Sequence, residues 1–431
     1  MLMINSPRQQ DSPLETNGDG TRSLRIGVVA HAFPLLSETF VTNQTLGLLA
    51  LGHDVEILAL HAGAPTKSAL TAAGVNPSFA VRIATPTRSG AAWEKLLRTG
   101  AGLIGDPGLA ARALPMGWRA RPRMAGAFLQ AQMLKRRAPY DVVHAQFGDL
   151  GLAALRQIEL GALSTRKLVV HFRGYDLGQF VRKHGEDVYE AVFARADHML
   201  TNCEHFRRKI ISLGGPAERV SVIGSGVDTD LFPFVERMQN GEAGEIRIAA
   251  VGRLIEKKGF EYALRAVAGL SQAGRNVRFE LAGDGPLRAE LAALAAELGV
   301  AADTVFHGQA TQPQVAELLA RADLFIAPSV TASNGDEDAA INTLKEAMLS
   351  GLPVVSTRHG GIPELVEHGV SGYLAPERDA AALKACLERL LAERDRWLEM
   401  GRAGRARVLD AYDRRRVNER IEALYRRLLA A

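Results

Sequence analysis

Short apolar, β-branched runs that alternate with helical segments stopped by a glycine constrain this chain more than any other feature. Leu24 to Ala30 (LRIGVVA) is such a run and ends where polar residues begin, as a buried strand does. A helical stretch follows from about Glu38 to Leu51, closed by Gly52, and a second apolar run starts at Asp54. Strand, helix, strand with a glycine stop implies a parallel sheet, because parallel neighbours need a crossover between them. The pattern returns at Asp141 to Ala145, Lys167 to His171, His198 to Thr201 and Val220 to Ile223.

Turn residues at Gly224 to Asp228 and a polar stretch from Glu236 to Glu245 then interrupt the series. A second series starts at once, with strands at Ile246 to Val251, Val277 to Ala282, near Val305, Leu324 to Ala327 and Val354 to Ser356. Its helices begin at Glu261, Leu287 and Pro313, and a further one ends near Ser350. The expected fold class is α/β, two tandem Rossmann-like, doubly wound parallel-sheet domains with a cleft between them. A length of 431 residues exceeds what a single core ordinarily serves. The boundaries drawn are a disordered leader over 1–23, a first domain over 24–235, a second over 246–411 and a closing helix over 412–431.

Composition narrows the function classes. Hydrophobic residues make up 47% and charged residues 23%, ordinary for a globular protein. No run of about 18 apolar residues suits a membrane-spanning helix, and the leader lacks the basic start and apolar core of a secretory signal, so a cytoplasmic protein is expected. Cys203 and Cys386 are read as buried thiols, not as ligands, nucleophiles or a disulfide. The basic residues Arg98, Arg112, Arg119, Arg121, Arg123, Lys135, Arg136 and Arg137 cluster, with no acid from Pro107 to Pro139. That stretch is either a peripheral contact with anionic lipid at the inner face of a membrane or a solvated helix face. Nucleic acid is not an expected partner, since no binding module accompanies the charge.

Two motifs carry chemistry. Gly252-Arg253-Leu254-Ile255-Glu256-Lys257-Lys258-Gly259 follows a strand and precedes a helix, so Arg253 and Lys258 sit where two cations can converge on a diphosphate. A charged surface loop is the alternative. Asp338 and Glu346, seven residues apart, flank Asn342, Thr343 and Leu344, whose backbone N–H groups at a helix start suit an anionic phosphate. Thr343 and Glu346 also have the spacing of a capping box, in which Glu346 would only tie down the helix end.

These segments, together with LAGDGPLRAEL, FHGQ, EAMLSGLPVVST and HGGIPELVEHGVSGYL, resemble the donor domain of glycosyltransferase family 4 from Ile246 to Pro376. Phe33-Pro34-x-x-Ser37-Glu38-Thr39-Phe40 resembles the bacterial exopolysaccharide branch, including colanic-acid-type glycosyltransferases. The resemblance implies a GT-B fold with an acceptor-side first domain, a donor-side second domain and a last helix that packs back on the first. It implies a retaining transfer from a UDP- or GDP-sugar to a lipid-linked oligosaccharide in surface-polysaccharide assembly, with no nucleophile from the protein and no obligatory metal or cofactor. The alternatives are a soluble-acceptor glycosyltransferase, a sugar-phosphate synthase or a non-catalytic sugar-nucleotide-binding protein.

Residue by residue, the resemblance assigns Arg253 and Lys258 to the diphosphate, Glu346 to the ribose and Asp338, in place of the usual Glu, to the donor sugar. Phe306, His307 and Gly308 would lie beside the base, and Gly360 and Gly361 beside the donor or merely in a turn. His171 would contact the donor sugar and help organise the reacting centre, with His144 a weaker candidate. Glu38, Arg173 and Asp176 are expected acceptor contacts. The family's usual glycine pair after the first strand is replaced by His31-Ala32-Phe33-Pro34.

Overall fold

The computed structural model describes residues 22–33, 38–59, 134, 138–237, 244–339 and 341–431. The leader up to Thr21, Leu134 apart the basic stretch from Arg98 to Arg137, and positions 34–37 of the FPxxSETF motif lie outside the described residues.

Two parallel sheets dominate. The first runs in the order β2 (Asp54–Ala59), β1 (Arg25–Ala30), β3 (Tyr140–Ala145), β4 (Thr165–Phe172), β5 (His198–Thr201), β6 (Val220–Val222). The second runs β12 (Gly372–Ala375), β11 (Val354–Thr357), β10 (Leu324–Ala327), β7 (Ile246–Val251), β8 (Val277–Ala282), β9 (Thr304–Gly308). Strands such as β1, with Ile26 and Val28 fully buried, read as continuous apolar runs because helices cover both faces. Each fully buried Ile, Val or Leu contributes about 1.5–3 kcal/mol.

The sequence pattern misses β12, four residues that start at a glycine and are too short to show a period. They add to the sheet through Val354↔Gly372 to Thr357↔Ala375.

The two sheets are joined twice. After β6 the chain passes through Gly224 to Asp228 into the second sheet, and it returns at Tyr412 to Arg414 alongside that same segment. Val227 N–H donates to Tyr412 O at 2.9 Å and Arg414 N–H to Val227 O at 3.1 Å. Asp413 starts the last helix, Arg414–Ala430, by accepting from the N–H groups of Arg415 and Arg416 and from the Thr229 hydroxyl. That helix lies against the helix Thr39–Ala50, and Val417, Ile421, Leu424 and Tyr425 join the core around β1. Among the described residues no helix is long and apolar enough to cross a membrane.

In such sheets ligands collect beyond the carboxyl ends of the strands, at the point where strand order reverses. In the second sheet that point lies between β7 and β10, and in the first between β1 and β3.

Candidate active site

The loops leaving β7 and β10 meet at the second sheet's reversal point. The first carries Arg253, Lys257 and Lys258; the second ends at Asp336, Glu337 and Asp338. Gly259, at φ +62°, lets them touch, since a Cβ there would stand 2.0 Å from Pro328 O.

Asp338 is 6% exposed. Its Oδ2 accepts from Lys258 Nζ at 2.7 Å and from the Ser329 hydroxyl at 2.9 Å, and Lys257 Nζ stands 3.3 Å from Oδ1. Burial alone would raise its pKa, but Lys258 and Lys257 outweigh that and hold the carboxyl far below its ordinary range. Burial lowers Lys258 and Asp338 pulls against it; Lys257, facing both Asp338 and Asp336, ends up raised against the same burial. The expected roles change accordingly. Asp338 clamps two lysines instead of standing free toward a sugar, and Lys258 is bound by a carboxylate instead of open to a diphosphate.

Asp338 is itself fixed from behind. Its N–H donates to His359 Nε2 at 2.9 Å, so that nitrogen is an acceptor and the proton sits on Nδ1, which donates to Glu377 Oε1 at 2.7 Å. Gly360, at φ +50°, places backbone where a Cβ would be 2.0 Å from Asp338 O. Its missing side chain therefore serves the Asp338 loop; Gly361 precedes the short helix Ile362–Leu365.

Arg253 is the cation of this group that stays exposed, and among the described residues it pairs with no carboxylate. Its charge is felt by Glu38 of the first domain, which puts it in the cleft.

The helix Asn342–Leu349 starts at Ile341 with no side-chain cap. Thr343 lies inside the first turn with its hydroxyl buried and unpartnered, so the capping box does not form. The N–H groups of Asn342, Thr343 and Leu344 thus open a helix whose start is available to an anion. Glu346 is 6% exposed, and burial pushes its carboxyl up to about 7 although Lys345 opposes this. Lys345 was not expected to matter. It is fully buried, donates to Ser225 O at 2.9 Å and Asn342 Oδ1 at 3.2 Å, and sits 4.3 Å from the centre of the Tyr412 ring, tying the helix to both interdomain crossings. Burial pulls its ammonium down to about 7.

His307 closes β9 and faces Glu280 at 2.7 Å, which Arg321 also meets at 2.7 Å. Burial would raise Glu280, but Arg321 and His307 outweigh it and lower it. Phe306 packs against the second core, and Gly308 accepts from Gly283 N–H at 2.8 Å.

In the first domain His171 is 1% exposed and stacks on His144, ring centres 5.6 Å apart. Asn202 Oδ1 accepts from Arg173 at 3.3 Å, so His171 Nε2, 2.9 Å from it, carries the proton, and Nδ1 faces Arg173 Nη2 at 3.2 Å. Burial, with Arg173 adding to it, holds both histidines neutral, His144 down to about 3. With both nitrogens engaged, His171 positions Arg173 and Asn202 and has no free atom for a donor sugar.

Arg173 spends its remaining N–H groups on Gln146 O, Gln146 Oε1 and Ser225 Oγ, and lies 4.0 Å over the Phe40 ring. Asp176 is fully buried and accepts from the N–H groups of Gly148, Arg173 and Gly174 at 2.8–3.2 Å. Burial raises it to about 6 even so. These two expected acceptor contacts are therefore internal supports: the long Arg and the short Asp found partners within their own domain. Glu38 differs. It opens the helix Thr39–Ala50, stays half-buried, and its Oε2 is buried without a partner among the described residues.

The acidic triplet diverges. Asp336 pairs with Lys257 at 3.0 Å, Glu337 with His205 and Lys209 of the first domain at 2.9 Å each, and Asp338 with Lys258. Among the described residues no group of three or more His, Cys, Asp or Glu side chains is placed to hold a metal ion. Cys203 is buried and Cys386 half-buried, both as free thiols.

Residues 235–407 match the family model described as glycosyl transferases group 1, and residues 37–226 the one described as a glycosyl transferase 4-like domain. The chain is 33% identical over 365 residues to the amylovoran biosynthesis glycosyltransferase AmsK of Erwinia amylovora, covering 83% of this chain and 88% of that protein. It is 32% identical over 417 residues to the putative colanic acid biosynthesis glycosyltransferase WcaL of Salmonella typhimurium strain LT2, covering 91% and 97%. Among solved structures it resembles Anabaena HepE in complex with UDP and glucose, at a TM-score of 0.70 and 20% identity over 93% of this chain and 99% of that one. Sucrose-phosphate synthase of Thermosynechococcus elongatus gives a TM-score of 0.67 at 19% identity over 94% and 99%. The shared architecture is the GT-B fold.

Proposed function

The chain belongs to the group 1 glycosyl transferases, in the bacterial exopolysaccharide branch of glycosyltransferase family 4, and from that premise we propose that it moves a sugar from a nucleoside-diphosphate donor onto a growing lipid-linked saccharide, with retention. The observation that carries the donor assignment is the pairing of exposed Arg253 with the uncapped start of Asn342–Leu349, at the reversal point of the second sheet. A planar guanidinium and a helix N-terminus both favour a diphosphate, and both are in place before its negative charge grows.

Glu346, one turn in from those N–H groups, accepts the ribose hydroxyls. As the bond between the anomeric carbon and the phosphate oxygen breaks, the acceptor hydroxyl enters from the same face and its proton passes to the departing phosphate. No nucleophile from the protein and no obligatory metal enter this scheme, since Arg253 and the helix start meet the leaving charge. The AmsK and WcaL relatives support a place in exopolysaccharide assembly. For the base, one structural neighbour was solved with UDP and glucose, whereas mycobacterial relatives 25–27% identical are GDP-mannose-dependent.

The test is a thermal-shift panel of UDP, GDP, ADP and their sugars on the wild type and on Arg253→Ala. One nucleotide should raise Tm with the logarithm of its concentration in the wild type alone. A panel with no shift for any nucleotide would sink the donor site.

A further inference from the structure

Within the helix Asn342–Leu349, one turn below the N–H groups at its start, lies a charge that the donor site does not use. Lys345 is fully buried, and its hydrogen bonds go to neutral oxygens, Ser225 O at 2.9 Å and Asn342 Oδ1 at 3.2 Å, while its head also lies over the Tyr412 ring. A buried cation is costly, and an apolar side chain of similar volume often holds a core as well or better. Stability alone therefore does not account for a lysine at this place.

Its partners make one connected path between the domains. Ser225 stands in the first crossing and is engaged from both sides: its O accepts from Lys345 of the second domain, and its hydroxyl accepts from Arg173 Nη1 of the first at 2.9 Å. Arg173 in turn meets Asn202 Oδ1, the same atom that holds His171. Asn43 fixes the neighbouring carbonyl by donating to Gly226 O at 3.1 Å. Tyr412, whose ring lies under Lys345, belongs to the second crossing, and its O accepts from Val227 N–H. Burial lowers the Lys345 ammonium against the pull of Glu346, and the charge of Arg173 adds to the lowering, so the two cations sense each other across the crossing. The ion pairs of Glu337 with His205 and Lys209 also bridge the domains, but from half-buried side chains that water and salt reach.

Resting on the transferase reading above, we propose that Lys345 is a positioning residue for the transfer, fixing the anion-binding helix start of the second domain against the Arg173 and His171 wall of the first. It touches no substrate. A lysine suits the task because its compact head carries three donors on a long stem, enough for two oxygens and a ring face at once. Reacting atoms must come within about 3–3.5 Å, and a misplacement of about 1 Å costs on the order of a hundredfold in rate. The lysine therefore governs how the two halves meet, and leaves the hold of the second domain on its nucleotide as it is.

Two measurements on the full chain test this. Spin labels at Arg156→Cys and Ala293→Cys, exposed positions on the helices Gly148–Glu159 and Arg288–Glu297, report the distance between the domains once Cys386→Ser has removed the half-buried thiol. Lys345→Met and Ser225→Ala should each shift and widen that distance. Kinetics use the nucleotide sugar chosen by the thermal-shift panel, with an organic extract of bacterial membranes as acceptor. In Lys345→Met, kcat should fall about a hundredfold while the donor KM and the nucleotide thermal shift keep their wild-type size. Because both substitutions cut one path, the double variant should be no slower than Lys345→Met alone. Unchanged label distances, a donor KM that rises as far as kcat falls, or losses that simply add would overturn the positioning role. Should Lys345→Met fail to fold, Ser225→Ala, which removes only a hydroxyl, decides by the same distance. A wild type that turns over no nucleotide sugar while its label distance responds to both substitutions would reject the transferase reading and keep Lys345 as the residue that sets the two halves.

Discussion

The reversal points of the two sheets occupy equivalent places in equivalent folds, yet their electrostatics are opposite. Beyond β7 and β10 the charges come in compensated pairs, Lys258 and Lys257 with Asp338 and Asp336, and the carboxyls of Asp338 and Glu337 are depressed, Glu337 to about 2. Beyond β1, β3 and β4 burial outweighs the neighbouring charges: Glu38 and Asp176 are raised and His144 and His171 lowered, each chiefly by burial. The difference teaches what each half suits. A paired network with one free guanidinium accepts an anion without a large rearrangement, whereas a low-dielectric, hydrogen-bonded wall suits hydroxyl groups.

The largest effect that would break this contrast is on stability. Asp338→Ala strands Lys258 in a buried place and leaves Lys257 with Asp336 alone, and should cost about 3–5 kcal/mol by denaturant unfolding. Adding Lys258→Ala should recover part of it, and strictly additive losses would mean the pairing is not what holds the loop. Next, Arg253→Ala removes an exposed cation, so turnover of the preferred nucleotide sugar should fall about 10²–10³-fold while stability changes by less than about 1 kcal/mol. A variant of normal activity would move the anion site elsewhere.

Glu337→Gln loosens the contact of the Asp338 loop with His205 and Lys209 and should cost about 1.5–3 kcal/mol at neutral pH. The sign with pH is set by the depressed carboxyl: its contribution is complete above the ordinary value of 4.5 and disappears as pH falls toward about 2. Wild type and variant should therefore converge in acid, and curves that stay parallel down to that range would reject the ion pair. The smallest effect tests the first domain. Tyr425→Phe removes the hydroxyl at 2.5 Å from His144 Nδ1 and should cost about 1 kcal/mol with little dependence on salt, because the partners are neutral.

How much of the site was legible follows the same division. Arg253 and the helix start stood out in the chain because loop, helix and strand alternate with a regular period, and that period assigns them to the carboxyl ends of strands. Lys257 was visible beside Lys258, but only the fold shows that its carboxylates come from a loop about eighty residues onward. Lys345 gave no signal of its own; its partners Ser225 and Tyr412 belong to crossings far from it in sequence. Asp149, which meets His31 at 2.8 Å, carried no motif, and His31 stood out only within His31-Ala32-Phe33-Pro34, which replaces the family's glycine pair.

The amino-acid sequence by itself determined the two parallel sheets, most strand limits and the family, because buried strands and crossover helices write their periods locally. Which polar groups are free was decided only by the tertiary structure. Arg173, Asp176 and His171 look like ligand contacts in the chain, yet each is saturated by neighbours, among them Ser225, Gly148 and Asn202 from other strands, while Glu38 keeps an oxygen without a partner among the described residues. Hydrogen-bond satisfaction depends on long-range neighbours, and burial sets the protonation of each group, so neither can be read from the order of residues along the chain.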